Sequence, residues 1–74
     1  MSPALADLPL RKVVAALTKA GFIHVRTKGG HAVYQHPNGR VVVIPQHPTV
    51  KRGTLASIIR QAGLTTAEFQ QLLR

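Results

Sequence analysis

The chain has 74 residues and no cysteine, which points to one small domain and excludes disulfide bridges and thiolate metal sites. The chain has ten lysines and arginines but only two carboxylates, which gives a formal charge of +8. This charge favours a polyanion such as nucleic acid as the binding partner, or secondly an anionic membrane or an acidic protein. The carboxylates, Asp7 and Glu68, are too few and too far apart for two-metal phosphoryl transfer or paired-carboxylate glycoside hydrolysis, so histidines are the expected acid–base groups.

The first predicted element is a helix that follows a loose lead-in at residues 1–8. It begins at Pro9, which suits a first helical turn, and its apolar residues recur at i, i+3, i+4 and i+7, namely Leu10, Val13, Val14 and Leu17. Gly21 is predicted to end it. A β-favouring run then extends from Phe22 to Lys28 and closes at two glycines.

Two further strands are predicted, from His31 to His36 and from Arg40 to Pro45. The segment between them, His36-Pro37-Asn38-Gly39-Arg40, has the composition of a hairpin turn. Residues 41–44 are β-branched and apolar throughout, which predicts a central strand covered on much of both faces.

Alternation along the second strand separates its side chains between two faces. His31, Val33 and Gln35 share one face, and Ala32, Tyr34 and His36 share the other. We expect the Tyr34 face to meet the core, which leaves His31 on the opposite, open face.

Two helices complete the chain. Apolar spacing predicts one over Leu55–Ala62, with Thr54 as its N-cap and Gly63 as its end. Thr65 and Glu68 form the capping-box pattern of a short third helix. The order α-β-β-β-α-α predicts one α+β domain over residues 1–74, a two-layer sandwich with helices on one face of a three-stranded sheet.

His31 is the strongest catalytic candidate. It follows Gly29 and Gly30, which would allow a phosphate backbone to approach closely, and Arg26 and Lys28 precede it on the neighbouring strand. A histidine beside fixed cations suits RNA cleavage through the 2′-hydroxyl, which needs a proton acceptor, a proton donor and a stabilised phosphorane, but no metal. The alternative is an ordinary surface histidine at the start of a strand.

Other residues are candidates for supporting roles. His47, and also Lys28, are candidates for catalytic support, while Lys51 and Arg52 precede a helix N-terminus and are candidates for phosphate contacts. The alternative for each is a solvated loop residue. The spacing of the four histidines matches no zinc pattern, and no metal or other cofactor is expected. No secretory signal or membrane span is apparent, so a cytoplasmic location is expected.

Several motifs occur together and in a fixed order along residues 9–73. They are Ala20-Gly21-Phe22, Lys28-Gly29-Gly30-His31, Tyr34, His36-Pro37, the segment from Val43 to His47, and the segment from Gly53 to Gly63. In this order they resemble the HicA family of toxins from bacterial type II toxin–antitoxin systems. The resemblance implies a dsRBD-like α-β-β-β-α fold, here with an additional short C-terminal helix, and an mRNA-cleaving ribonuclease whose essential histidine corresponds to His31. It also implies an antitoxin partner, HicB, that covers the active site.

The chain departs from the family pattern at two positions. The family usually has serine or threonine where this chain has Gly30, and many members have a second histidine where it has Ala32. Three hypotheses follow: a metal-independent endoribonuclease toxin, a non-catalytic RNA-binding module on the same fold, and an interaction protein whose basic face meets an acidic partner.

Overall fold

The structure is a computed structural model that describes residues 5–74, so residues 1–4 of the expected lead-in lie outside the described residues. The helices and strands, in chain order, are β1 (Leu8–Pro9), α1 (Leu10–Lys19), β2 (Ile23–Lys28), β3 (His31–Gln35), β4 (Val41–Pro45), β5 (Thr49–Val50), α2 (Arg52–Ala62) and α3 (Thr66–Leu72). Strands β2, β3 and β4 form an antiparallel sheet in that order. The structure therefore confirms the predicted α+β class and its dsRBD-like layout with an added C-terminal helix.

The core lies between the helices and one face of this sheet. The sheet contributes Ala32 and Tyr34 from β3 and Val42 and Ile44 from β4, and all four are buried. The helices cover them with apolar residues, among them Val13, Ala16, Leu17, Leu55, Ile58, Ile59 and Phe69. The predicted alternation of β3 is confirmed, and the side of the sheet that carries His31 is turned away from the helices. This side is called the open face below.

The prediction that residues 41–44 form the central strand is wrong. β4 lies at an edge of the sheet, and β3 is central. Val42 and Ile44 are fully buried, whereas Val41 and Val43 are 45% and 37% exposed. The apolar run is continuous because valines also occupy the uncovered face, and a sequence pattern cannot distinguish a covered apolar face from an exposed one.

A two-stranded ladder that the sequence did not predict fixes the start of α2. Leu8 pairs with Val50, which brings Asp7 to the helix N-terminus, where its Oδ1 accepts a hydrogen bond from the Arg52 backbone N–H at 2.8 Å. α2 consequently begins at Arg52, not after Thr54 as predicted. The capping oxygen comes from a residue 45 positions earlier in the chain, so Thr54 is not needed for that role.

α1 begins at Leu10, one residue later than predicted, because Pro9 has extended backbone and pairs with Thr49. The predicted ends of α1 and α2 and the predicted cap of α3 are confirmed. Gly21 follows α1 with a φ of 103° and Gly63 follows α2 with a φ of 74°, the left-handed conformation in which glycine commonly ends helices. At α3 the capping box is complete, because the Thr65 N–H donates to Glu68 Oε1 at 2.8 Å and the Glu68 N–H donates to Thr65 Oγ1 at 3.0 Å.

His36 connects the end of α1 to the β3–β4 hairpin. Its Nε2 donates to the Ala20 carbonyl at 3.0 Å, its Nδ1 accepts from the Asn38 N–H at 3.0 Å, and its ring meets Phe22 edge-on at 5.1 Å. The predicted turn is confirmed, since the Gly39 N–H donates to the His36 carbonyl and Gly39 has a φ of 96°. His36 therefore has a structural role.

Replacing His36 with alanine is expected to lower the free energy of unfolding by about 1–3 kcal/mol, because two backbone groups lose their partner. His47→Ala is the matched control, since the His47 side chain is exposed and makes no hydrogen bond within residues 5–74. Urea unfolding of both variants checks this. Equal stability losses in the two variants would show that the His36 hydrogen bonds contribute little.

Candidate active site

His31 is the first residue of β3 and lies on the open face. Its Cα pairs with Lys28 on one side and with Pro45 on the other. The side chain is exposed, and within the described part of the chain it makes no hydrogen bond. Both ring nitrogens are therefore accessible to a substrate.

A β-bulge in β2 places the two expected cations on the same face as His31. Ile23 pairs with Gln35 on the open face, and strict alternation from there would turn Arg26 and Lys28 toward the helices. The register shifts between His24 and Arg26, so that Arg26 pairs with Val33 and Lys28 with His31. Val25 is the extra residue of the bulge, and it reverses the alternation of every residue after it.

The Gly29-Gly30 turn joins β2 to β3 immediately before His31. Gly29 has a φ of 61° and Gly30 has no positive φ, the pattern of a type II′ hairpin turn. A Cβ atom at Gly30 would meet no heavy atom within 4 Å. Glycine is therefore required by the backbone at Gly29 but not at Gly30, and the space above the turn is open to a ligand.

The loop after β4 passes beside this turn. The Gln46 N–H donates to the Gly30 carbonyl at 2.7 Å, and the Pro48 carbonyl accepts from the Leu10 N–H at 2.9 Å. His47 lies between these two anchors, so its loop runs from the Gly30 turn to the N-terminus of α1. Gln46 was not predicted as a site residue, and no sequence signal identifies it because its backbone makes the contact.

Lys51 and Arg52 lie at the other end of this loop, at the start of α2. Lys51 Nζ is 3.7 Å from Asp7 Oδ2, and Asp7 also caps the helix. A shallow cavity of about 580 Å³ adjoins them, lined by Leu5, Ala6, Asp7, Lys51 and Arg52. No hydrogen bond or ion pair within residues 5–74 joins this cluster to His31. Sequence reasoning missed Asp7 because its contacts depend on the unpredicted β1–β5 ladder.

The electrostatic character of the site is positive. Among residues 5–74, Lys51–Asp7 is the one ion pair, and Glu68 is engaged in the cap of α3. Arg26 and Lys28 consequently have no carboxylate partner within that range. No group of three or more histidine and acidic residues in the described part of the chain is placed to hold a metal ion. None of its helices is long and apolar enough to cross a membrane.

Comparison with known protein families gives a match to a model described as the HicA toxin of bacterial toxin–antitoxin, over residues 10–64. No curated protein matches the chain. The matched segment runs from the first residue of α1 to just beyond α2, so it includes Arg26–His31, His47, Lys51 and Arg52, but neither Asp7 nor α3. Because this match covers more than half of the chain, the chain belongs to the HicA family of toxins from bacterial toxin–antitoxin systems.

Proposed function

We propose that this toxin is a metal-independent endoribonuclease that cleaves mRNA, with His31 as its catalytic residue. The observation that carries the proposal is the cross-strand pairing of His31 with Lys28 on the open face, directly after a glycine turn. This arrangement puts an imidazole, which can act as a general acid or base, beside a fixed cation, with open space above the turn. The family membership supports the same conclusion.

In the proposed reaction, one histidine removes the proton from a ribose 2′-hydroxyl, and the 2′-oxygen attacks the adjacent phosphorus. The bond to the 5′-oxygen of the next nucleotide breaks, and that oxygen receives a proton from a second donor. The products are a 2′,3′-cyclic phosphate and a 5′-hydroxyl. His31 acts as base or acid, His47 is the candidate for the other proton transfer, and Lys28 with Arg26 stabilises the phosphorane.

RNA outside the scissile bond would be held by backbone and side-chain contacts to phosphates. Gly29 and Gly30 allow a phosphate to approach the turn closely, because they have no side chains. The space that a Cβ atom would occupy at each glycine is also empty, with no heavy atom within 4 Å. Lys51 and Arg52 extend the positive surface toward α2, where the Lys51 side chain is 77% exposed and its ion pair with Asp7 is weak. Phosphate contacts of this kind supply affinity without sequence specificity.

The proposed partner is an antitoxin of the HicB type that covers the active site. Membership of a toxin–antitoxin family supports an antitoxin in general. The net charge of +8 supports an acidic one, since opposite charges accelerate association.

A non-catalytic RNA-binding module on the same fold is the alternative function. The observation that favours it is the imidazole of His31, which has no hydrogen-bond partner within residues 5–74 to orient it. Incubating the protein with a labelled synthetic mRNA in EDTA, and measuring both binding and cleavage, separates the two functions. Cleavage in EDTA supports the ribonuclease, whereas binding with no cleavage supports the module.

Replacing Gly30 with serine is expected to raise the cleavage rate about 3- to 10-fold, because the hydroxyl would supply one hydrogen bond to a phosphate or to His31. The fold is expected to tolerate the change, since Gly30 has no positive φ and its Cβ position is free. Single-turnover cleavage kinetics measure the rate, and Gly30→Ala is the control that adds the Cβ without the hydroxyl. A rate increase that alanine reproduces would refute a role for the hydroxyl.

A further inference from the structure

The open face of the sheet has two chemically different ends. His31, Lys28 and Arg26 make one end basic, while the other end exposes aliphatic side chains. The latter are called the apolar patch: Ile23, Val25, Val41 and Val43, exposed by 64%, 47%, 45% and 37%. They are the large apolar residues most exposed to solvent in residues 5–74, and they lie on the two outer strands, β2 and β4, on either side of β3. Exposed aliphatic residues grouped on one face of a sheet are typical of an interaction surface.

We infer that the apolar patch is the principal anchor for the antitoxin, and that it is separable from the catalytic end of the sheet. The inference rests on the proposed function for the identity of the partner. Gln35 pairs with both Ile23 and Val41, and it lies four residues along β3 from His31. At about 3.3 Å per residue, the row of the patch formed by Ile23 and Val41 is about 13 Å from the histidine.

The neighbouring residues define the shape of the patch. Ile23 and Val25 line one shallow cavity of about 300 Å³ together with Gln35, His36 and Pro37. Val41 lies across the sheet from Ile23, since both pair with Gln35. Val43 pairs with Val33, which is two residues closer to His31 along β3. A partner can therefore place one apolar side chain in the cavity and cover the valines of β4 with others.

RNA does not fit this surface chemically. Single-stranded RNA binds to exposed aromatic rings on which its bases stack. The aromatic residues of this chain are Phe22, Tyr34 and Phe69, and all three are buried in the core. Aliphatic side chains offer neither stacking nor hydrogen bonds to bases, so a protein is the appropriate occupant.

A second copy of the chain does not fit either. Arg26 lies beside the patch on β2, and Arg40 directly precedes β4. Neither arginine forms an ion pair with a carboxylate within the described range. Two copies meeting through this face would bring these cations together on molecules of net charge +8. A partner with an apolar centre and an acidic rim is complementary to both features.

The edges of the sheet favour an antitoxin that contacts the open face over one that adds a strand to the sheet. On β4, the Val43 N–H points away from β3 and donates a hydrogen bond to Gln61 Oε1 of α2 at 3.0 Å. On β2, the bulge between His24 and Arg26 interrupts a regular edge. Both features are known ways of preventing edge-to-edge pairing. The antitoxin is therefore expected to lie across the strands.

The test uses the double variant Ile23→Thr/Val41→Thr, which keeps β-branched side chains and removes apolar surface. The probe is the proposed HicB-type antitoxin, purified from the chain's native host, and its Kd is measured by calorimetry. The double variant is expected to cleave RNA at the wild-type rate and to bind the antitoxin at least about 30-fold more weakly, since each threonine would bury a hydroxyl without a partner. His31→Ala is the reciprocal control, expected to bind the antitoxin normally and to cleave RNA about 10²- to 10⁴-fold more slowly.

A Kd for the double variant within about 3-fold of wild type, or no binding of the antitoxin by the wild type, would overturn the inference. Self-association of the wild type that the double variant abolishes would overturn it too, by showing that a second copy occupies the patch. Antitoxin binding is expected to weaken far less than RNA binding between 0.1 and 1 M NaCl, and an equally steep loss would contradict an apolar anchor. The Kd measurement needs no RNA cleavage, so it decides this inference even if the proposed ribonuclease activity is absent.

Discussion

Replacing His31 with alanine is expected to reduce RNA cleavage in EDTA by about 10²- to 10⁴-fold, the usual contribution of one positioned proton-transfer group. RNA binding is expected to change little, because Arg26, Lys28 and the backbone of the glycine turn remain in place. The fold is also expected to be unaffected, since the side chain is exposed and makes no hydrogen bond among residues 5–74. Single-turnover kinetics with saturating protein measure the chemical step, and fluorescence anisotropy measures RNA binding.

His24→Ala is the control that separates the loss of a catalytic group from the effect of removing any exposed histidine. His24 is another exposed strand histidine, but it pairs with Tyr34 on the opposite face and its Nε2 contacts Thr27 Oγ1 at 2.8 Å. Its loss is expected to leave the cleavage rate within about 3-fold of wild type, because it lies outside the proposed site. If His24→Ala and His31→Ala were equally impaired, the assignment of catalysis to the open face would be wrong.

Replacing Ile44 with alanine is expected to lower the free energy of unfolding by about 2–5 kcal/mol, the range for a large-to-small change at a fully buried aliphatic residue. Ile44 is 0% exposed and pairs with Ala32 on the helix-facing side of the sheet. A domain of this size has a total stability of only about 5–15 kcal/mol, so the loss would be a large fraction of it. Urea unfolding followed by circular dichroism measures the change.

Val43→Ala is the control on the same strand. Val43 precedes Ile44 in β4 but faces away from the helices and is 37% exposed. Its truncation is expected to cost less than about 1 kcal/mol, since little packing is lost. Comparable losses in the two variants would contradict the observed assignment of faces in β4.

The element order could be predicted from the sequence because helix ends and hairpin turns have local signals. Gly21, Gly63 and the Thr65–Glu68 capping box each act within a few residues of their own position. The edge position of β4 could not be predicted, because exposure depends on which face the helices cover. The start of α2 at Arg52 could not be predicted either, because its cap, Asp7, is distant in sequence.

The candidate site, too, could be predicted from the sequence only in part. The open-face position of His31 followed from alternation along β3, which a regular central strand obeys. Placing Arg26 and Lys28 beside it required the bulge at Val25, which has no clear sequence signal. The sequence also grouped Lys51 and Arg52 with the site, whereas the contact observed for them is with Asp7. Long-range pairing and bulges, not local propensity, determine these features.

The most direct test of the central claim is the chemistry of the RNA ends that the wild-type protein produces in EDTA. Attack by the 2′-oxygen predicts a 2′,3′-cyclic phosphate and a 5′-hydroxyl, and it predicts that a 2′-deoxy substitution at the cleaved nucleotide abolishes the reaction. Mass spectrometry of the products distinguishes these ends. Products with a 3′-hydroxyl and a 5′-phosphate, or cleavage of the 2′-deoxy substrate, would contradict histidine acid–base catalysis on the 2′-hydroxyl.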